Sequence, residues 1–338
     1  MDRGSVAAAI GPRGFAPRAT AGYRKAMAHA LPDSLTTEAV NPASTRIDEL
    51  DARGIVRLMN EEDAGVAAAV GREADAIARA IDAVAERLAA GGRLVYIGAG
   101  TSGRLGVLDA TECPPTFGTP PEMVVGVIAG GPSALTRAVE GAEDKADLAV
   151  ADLTAVDLNG RDVLVGIATS GRTPYVIAGL AHARSLGCFT VGLACNENSA
   201  LAPHADVLIA PCVGPEIIAG STRLKAGTAT KMVLNMLTTG AMIRMGKTYG
   251  NLMVDLRATN TKLVARARRL VARLVGVAED EAERLLAAAD GELKTAVVAR
   301  LRDVPPAEAR RLLAAAGGHL RRALGPAARD GGNGHGTA

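Results

Sequence analysis

The segment LVYIGAGTSGR (residues 94–104) joins a run of apolar residues to a turn of small residues. A second segment of the same design, VLVGIATSGR, occupies residues 163–172. Continuous apolar runs of this length are typical of strands that are buried on both faces of a parallel sheet. Each copy therefore predicts a buried strand, a tight turn and the start of a helix.

The two turns share the tetrapeptide TSGR, at 101–104 and 169–172. This arrangement points backbone N–H groups, a hydroxyl and the positive end of a helix toward one place, and it therefore suits a phosphate. One such loop alone would favour the simpler interpretation, a tight turn with a Ser or Thr N-cap. Two loops in one domain instead predict a phosphorylated small molecule as the ligand.

Apolar runs alternate with helical patterns through the centre of the chain, which predicts an α/β fold, with a parallel sheet covered by helices on both faces. The predicted strands are 94–97, 123–128, 162–168, 188–194 and 207–210. The predicted organisation is a flexible extension over 1–36, a main domain with N-terminal helices over 37–258, a small helical domain over 259–325 and a disordered tail over 326–338.

The composition excludes several classes of partner. The chain of 338 residues has 38 basic and 36 acidic side chains, and only 2% of its residues are aromatic. Because the charges are balanced and aromatic residues are few, we expect neither nucleic acid nor a membrane surface as a partner of the protein. No apolar stretch reaches the roughly 18 residues of a membrane span. The four cysteines lack CxxC spacing and the histidines are scattered, which predicts reduced, buried thiols, no metal site and a cytoplasmic protein.

Residues 98–103 (GAGTSG) formally match the dinucleotide-binding pattern GxGxxG after a strand. That pattern also requires an acidic residue at the end of the next strand, where it holds a ribose. The next predicted strand, 123–128, ends in Ala-Gly-Gly, and Glu122 precedes it. The match is therefore weak, and we expect no dinucleotide.

Two acidic segments are candidates for acid–base chemistry. Glu112 stands just before Pro114 and Pro115, which predict that the helix stops and that the loop around Glu112 is stiff. Glu143, in the segment VEGAED, lies beside a predicted helix start. The simpler interpretations are a surface loop acid and a first-turn acid favoured by the helix dipole. Near a phosphate site, the pair could instead serve as general acid and base.

A third segment, GSTRLKAGT, occupies residues 220–228. Ser221 or Thr222 is a natural N-cap for the long helix predicted over 222–245. Arg223 and Lys225 place positive charge at that helix start, against the preference of the helix dipole. This favours a bound anion there over two solvated cations.

Together, the motifs IGAGTSGR, TECPPT, VEGAED, TSGRTPY and GSTRLKAGT resemble those of the N-acetylmuramic acid 6-phosphate etherase family, in the family's order. NPAS (41–44) and GNLMVD (250–255) match as well, so the resemblance runs from about 37 to about 324. It implies a sugar isomerase (SIS) domain and kinship with the glucokinase regulatory protein. The N-terminal extension, the Gly-rich tail and Thr111, where Ser is common, depart from the pattern.

The resemblance implies a lyase that removes the D-lactyl ether from carbon 3 of a phosphorylated amino sugar, giving N-acetylglucosamine 6-phosphate and D-lactate. It implies no metal or redox cofactor, and a homodimer with the active site near the subunit boundary. By motif position, Glu112 matches the general acid and Glu143 matches the second catalytic glutamate, expected to be the base. The residues expected to bind phosphate and sugar are Ser102, Gly103, Ser170, Thr173, Ser221 and Thr222.

Two other functions fit the same fold. One is a regulator that binds a phosphosugar without turnover, and the other is an aldose–ketose isomerase that moves protons between carbons 1 and 2. The glucokinase regulatory protein carries two tandem SIS domains, whereas this chain has room for one. The pair Glu112 and Glu143 also favours an enzyme, and release of D-lactate would separate the three functions.

Overall fold

The computed structural model of the chain describes residues 35–256 and 261–325. In the first range, two short 3-10 turns precede α1 (Ala52–Asp63), α2 (Val66–Gly71), α3 (Ala74–Ala89), β1 (Leu94–Gly98), α4 (Gly100–Phe117), β2 (Val124–Ile128), α5 (Ala146–Ala155), β3 (Val163–Ile167), α6 (Pro174–Ser185), β4 (Phe189–Leu193), β5 (Val207–Ile209), α7 (Lys225–Arg244), β6 (Thr248–Tyr249) and β7 (Leu252–Met253). The second range contains α8 (Thr261–Val275), α9 (Glu279–Ala288), α10 (Leu293–Arg302), α11 (Pro306–Ala315) and α12 (Leu320–Leu324).

The five strands β1–β5 form one parallel sheet in the order β2-β1-β3-β4-β5. Side chains of the central strand β1 alternate between two apolar layers. Leu94 and Tyr96 belong to the layer shared with α2, α3, α4 and α7. Val95 and Ile97 belong to the layer shared with α5 and α6. The predicted α/β fold, a parallel sheet with helices on both faces, is confirmed.

Close packing of α4 on the sheet explains the glycines of the GAGTSG segment. A Cβ atom at Gly103 would lie 2.6 Å from Ile128 Cγ1 and 2.7 Å from the carbonyl oxygen of Gly98. Both distances are far below van der Waals contact, so only glycine permits this helix to approach the ends of β1 and β2. Gly98 and Gly103 thus have a packing role that requires no dinucleotide.

The expected helix break at Pro114 and Pro115 is wrong, because α4 continues through both prolines to Phe117. They occupy the last turn of the helix, where they remove only the backbone bonds to Ala110 and to the residue after it. The helix then closes with the N–H of Gly118, at a left-handed φ of 62°, donating to Pro114 O at 3.0 Å. Glu112 therefore lies on a helix and not in a stiff loop.

The C-terminal helices enclose an apolar cluster of their own, which also includes Val254 and Leu256 from the end of the main domain. The small domain predicted over 259–325 is helical in its described part, whereas the antiparallel ribbon β6–β7 before it was not predicted. Lys247 and Lys294 both pair with Asp255, at 2.8 and 3.0 Å, and so join α7 to α10. The boundary between 37–258 and 259–325 stays a prediction.

All four cysteines are free thiols; three are buried, whereas Cys212 is half-buried, contrary to expectation. Of the predicted extension, residues 1–34 lie outside the described residues, as does the predicted tail from 326. Leu35 is buried, and Thr36 donates from its backbone N–H to Asn196 Oδ1 at 3.1 Å. Among the helices of 35–256 and 261–325, none combines the length and apolarity needed to span a membrane.

Candidate active site

The two TSGR loops follow neighbouring strands of the sheet. β1 pairs with β3 in register, with Gly98 opposite Ile167, so both loops leave the sheet at the same level. The chain moves outward from β1 to β2 and then crosses back to β3, which makes this pair the switch point of the topology. Ligands of open parallel sheets bind outside the carboxyl ends of the strands at such a point.

The first loop leads directly into α4. Gly100, at a φ of 53°, begins the helix, and Ser102 is buried in its first turn. Ala99 is the N-cap residue and offers no capping side chain, so the leading N–H groups of α4 are not satisfied by a side chain at the cap. The positive end of the helix dipole, with these donors, is therefore available to a ligand.

The second loop forms hydrogen bonds with the segment that follows β4. Gly171 adopts a φ of 73°, and its carbonyl oxygen accepts from the backbone N–H of Ala200 at 3.0 Å and from Ser199 Oγ at 3.3 Å. Buried Asn196 donates from Nδ2 to the carbonyl of Thr169 at 3.1 Å. These bonds hold the backbone of the loop in place.

Ser170 and Thr173, the two predicted binding residues of this segment, differ in their local hydrogen bonds. Ser170 accepts at Oγ from the backbone N–H of Arg172 at 3.3 Å. Thr173 is the N-cap residue of α6 but makes no side-chain capping bond, so its hydroxyl is left for another partner. Both side chains are half-buried at the carboxyl edge of the sheet.

Glu143 lies between the two loops. Its side chain is exposed and lines a cavity of about 170 Å³ that is also lined by Gly100 and Arg104 of the first loop. Its carbonyl oxygen accepts from the backbone N–H of Tyr175, in the first turn of α6, at 3.1 Å. Arg104 donates from Nε to the carbonyl of Leu135 at 3.2 Å, which ties the segment before Glu143 to α4.

The third predicted segment also reaches the first loop, but its helix is capped differently from expectation. α7 begins at Lys225, and Ser221 and Thr222 lie in the preceding turn without acting as the N-cap. A Cβ atom at Gly227 would lie 3.5 Å from the carbonyl oxygen of Thr222 and 3.7 Å from Thr101 Cγ2, which places this turn beside the first loop.

Carboxylates of the chain itself bond to the start of α7. Glu216, fully buried, accepts at Oε2 from the N–H of Lys225 at 3.0 Å and at Oε1 from the N–H of Ala226 at 2.9 Å. Lys225, also buried, donates to Glu62 Oε2 at 2.6 Å. These bonds provide a partner for Lys225, whereas Arg223 is exposed.

Glu62 is the centre of a polar cluster that holds the third segment. It accepts from Lys225 Nζ and, at 2.8 Å, from Asn41 Nδ2, while Asn41 also donates to the carbonyl of Pro215 at 3.2 Å. Ser44 donates to the carbonyl of Ile217 at 2.7 Å. The hydrogen bond from Lys225 lowers the pKa of Glu62 below its ordinary value. The NPAS motif is thus a support for residues 215–217.

Glu112 does not lie with Glu143. It is exposed on α4, ten positions after Ser102, which is about 15 Å along the helix axis. It lines a separate cavity of about 340 Å³, together with Asp109 and Lys231. The structure therefore brings Glu143 to the two loops and leaves Glu112 at the other end of α4.

Asp109, one turn before Glu112, is buried in a hydrogen-bond network. Its Oδ2 accepts from the hydroxyl of Tyr96 at 2.8 Å, and its Oδ1 accepts from Thr238 Oγ1 at 3.3 Å. Burial raises the pKa of Asp109 above its ordinary value, and burial together with this carboxylate raises that of Tyr96. The network fixes the face of α4 that carries Glu112 against α7.

Sequence reasoning did not find Asn196, Glu216, Glu62 or Asp109. The available signals were weak: a lone Asn after a predicted strand, and acids in helices or beside Pro215 that resemble ordinary surface acids. Each of these residues acts through partners that are distant along the chain. Glu62 and Lys225, for example, are 163 positions apart.

Known proteins resemble this chain in sequence and in fold. Residues 76–184 match the model of the glucokinase regulatory protein N-terminal SIS domain, 146–240 match the SIS domain, and 250–297 match the C-terminal lid domain of glucokinase regulatory protein. An N-acetylmuramic acid 6-phosphate etherase of Rhodopirellula baltica is 67% identical over 266 residues, which cover 79% of this chain and 88% of that protein.

A second etherase of the same name, from Streptomyces avermitilis, is 60% identical over 266 residues, covering 79% of this chain and 86% of that protein. Among solved structures, a phosphoheptose isomerase from Francisella tularensis superposes with a TM-score of 0.47 at 18% identity. That superposition covers 57% of this chain and 100% of the isomerase.

Proposed function

The chain belongs to the N-acetylmuramic acid 6-phosphate etherase family, and from this premise we propose which of its residues carry the reaction. The protein is a carbon–oxygen lyase that cleaves the D-lactyl ether of N-acetylmuramic acid 6-phosphate. The products are N-acetylglucosamine 6-phosphate and D-lactate, and the reaction serves amino-sugar recycling.

The reaction needs one base and one acid. In the open-chain sugar, the aldehyde at carbon 1 acidifies the hydrogen on carbon 2. A base removes that proton, the bond from carbon 3 to the ether oxygen breaks, and an acid protonates the departing lactate oxygen. Water then adds to the unsaturated aldehyde, hydroxyl to carbon 3 and hydrogen to carbon 2, and both enzyme groups return to their starting protonation states.

Glu143 is the base in this proposal. The observation that carries it is that Glu143 shares a cavity with the first turn of α4, while its carbonyl oxygen accepts from the N–H of Tyr175 in the first turn of α6. The substrate phosphate and sugar hydroxyls are bound by Ser102, Gly103, Ser170 and Thr173, with Ser221 and Thr222 closing the pocket beside Thr101. A helix N-terminus with free N–H donors favours a doubly charged phosphate over a neutral sugar.

Glu112 is the general acid, and it acts in the site of a second copy of the chain. Within one chain it is about 15 Å along α4 from Ser102 and lines a different cavity from Glu143. Its surroundings favour an interface, because Leu108 on α4 and Met236 on α7, next to the cavity residue Asn235, are exposed apolar side chains. We therefore propose a cytoplasmic homodimer in which each site combines Glu143 of one subunit with Glu112 of the other.

The two domains have different roles in this proposal. The main domain, 37–258, contains every residue named above, and the helical domain, 259–325, carries no group with an assigned chemical role. Joined to the main domain through Asp255, it is proposed to support the fold beside the site.

Release of D-lactate and exchange of the carbon 2 hydrogen in deuterated water test the two roles separately. Glu112→Gln should release lactate about 10²–10⁴-fold more slowly, and Glu112→Ala should retain some exchange. Glu143→Ala should lose both. Lactate release near the unaltered rate by folded Glu112→Gln would remove Glu112 from the acid role, and exchange at that rate in Glu143→Ala would remove Glu143 from the base role.

Mixing the two inactive variants tests the shared site. A Glu112→Gln subunit with a Glu143→Ala subunit forms one intact site per mixed dimer, so an equal mixture should regain about a quarter of the unaltered activity. The matched control mixes Glu112→Gln with a subunit that carries both substitutions, which restores no site. Activity no higher in the mixture than in the control would contradict the shared site. An aldose–ketose isomerase or a regulator would release no lactate in any of these assays.

A further inference from the structure

The cavity that contains Glu112 has a composition suited to more than proton transfer. It encloses about 340 Å³ between α4 and α7 and is lined by Leu105, Leu108, Asp109, Glu112, Lys231, Leu234 and Asn235. Three leucines thus share the space with two carboxyl groups, an amide and an ammonium group. Among these lining residues, Lys231 supplies the positive charge.

Lys231 is held in position by a neutral group. In the amide orientation that satisfies both neighbours, Asn235 donates from its nitrogen to Asp109 Oδ1 at 3.1 Å. Its oxygen then accepts from Lys231 Nζ at 3.0 Å. The bond to Asn235 uses one of the three N–H donors of the ammonium group, so the others can serve an added anion.

Two other cations near the proposed chemistry, Lys225 and Arg104, have partners inside the protein. Lys225 pairs with Glu62, and Arg104 donates to the carbonyl groups of Leu135 and Arg137. Lys231, by contrast, forms no salt bridge with a carboxylate of residues 35–256 or 261–325, and its side chain is exposed at the mouth of the cavity.

The leaving group of the reaction has two features that a binding site must accommodate. In a lactyl ether, the carbon attached to the ether oxygen also bears a methyl group and a carboxylate. An acid that protonates the ether oxygen therefore lies one carbon away from a negative charge. Once Glu112 has given its proton to the ether oxygen, its carboxylate would repel the carboxylate of the departing lactate unless a cation stood beside them.

We propose that Lys231 binds the carboxylate of the lactyl group while Leu105, Leu108 and Leu234 surround its methyl group. This inference rests on the proposed function, because it takes Glu112 as the acid for the same leaving group. It makes Lys231 the residue that selects a lactyl ether over an uncharged ether, a choice in which the TSGR loops have no part.

The experiment compares two ethers of N-acetylglucosamine 6-phosphate, the natural 3-O-D-lactyl ether and a 3-O-ethyl ether that lacks the carboxylate. Lys231→Met should lower kcat/KM for the lactyl ether by about ten- to a hundredfold, the size expected of a charged hydrogen bond, and leave the ethyl ether unchanged. Lys231→Arg should retain part of the preference. The matched control is Lys262→Met, an exposed lysine on α8, which should alter neither substrate.

Exchange of the carbon 2 hydrogen of N-acetylglucosamine 6-phosphate, which has no lactyl group, should be unaltered in Lys231→Met. An equal loss for both ethers, a loss of exchange, or no loss for the lactyl ether would each overturn the role of Lys231 alone. Absence of lactate release from the unaltered protein would overturn the proposed function, and this inference with it.

Discussion

Removal of the Glu216 carboxylate tests how the site is held together. Glu216 is fully buried and accepts the N–H groups of Lys225 and Ala226 at 3.0 and 2.9 Å. In Glu216→Ala, both donors are left buried at the positive end of α7. Hydrogen bonds to a charged group contribute about 1.5–3 kcal/mol each, but removing the carboxylate also removes its own desolvation cost. We expect the free energy of unfolding to fall by about 3–5 kcal/mol.

Urea denaturation, analysed with a shared slope for all variants, measures this change. Glu216→Gln keeps one acceptor oxygen but turns an N–H donor toward the other backbone N–H. Its free energy of unfolding should therefore lie between those of the unaltered protein and Glu216→Ala. The matched control is Glu61→Ala, an exposed acid on α1, for which we expect a change within about 0.5 kcal/mol. A loss below about 1 kcal/mol in Glu216→Ala would refute the capping role.

Gly103→Ala should lower the free energy of unfolding by about 1–3 kcal/mol and slow lactate release, because the new methyl group would press on Ile128 and Gly98. The control is Gly71→Ala, whose methyl group meets no atom within 4 Å. Thermal unfolding and lactate assays should show no change in this control. Glu62→Gln should make the free energy of unfolding depend less steeply on pH at acid pH. The pKa of Glu62 is lower in the folded than in the unfolded state, so its carboxylate stabilises the fold above the unfolded pKa of about 4.3. That stabilisation is lost as the pH falls through the folded-state pKa. Equal slopes for both proteins below about pH 4.5 would contradict this.

The fold was predictable because its signals are local. Each of β1 to β5 is a short apolar run that ends in small residues, and the structure places every one within a residue or two of its predicted bounds. The amphipathic helices α8 to α11 follow from 3.6-residue periodicity for the same reason. The ribbon β6–β7 has two residues per strand, which is too short for any periodic pattern to register.

The misjudged features depend on contacts that are distant along the chain. Pro114 and Pro115 predict a break by local rules, yet the packing of Cys113 and Phe117 in the core keeps α4 helical to its end. Ser221 or Thr222 is the N-cap of α7 by local rules, yet the first N–H groups of α7 bond to Glu216 and Lys225 pairs with Glu62, both in other segments. No period or spacing in the sequence links these residues.

The two ends of α4 carry different parts of the proposed site: one part that any phosphosugar-binding protein of this fold could use, and one part suited to a lactyl ether. Its first turn, with Ser102 and Gly103, adjoins the ends of β1 and β2. In our proposal this turn binds the phosphosugar, a role that a regulator or an isomerase would share with a lyase. The groups suited to expel a lactyl ether, Glu112 and Lys231, lie around the far half of the same helix. Ser102 and Glu112 are about 15 Å apart along this helix, and for this reason we propose that binding of the phosphosugar and departure of lactate meet across two subunits. A protein of this fold that lacked the far-end groups would therefore keep its affinity for the phosphosugar and lose only the cleavage.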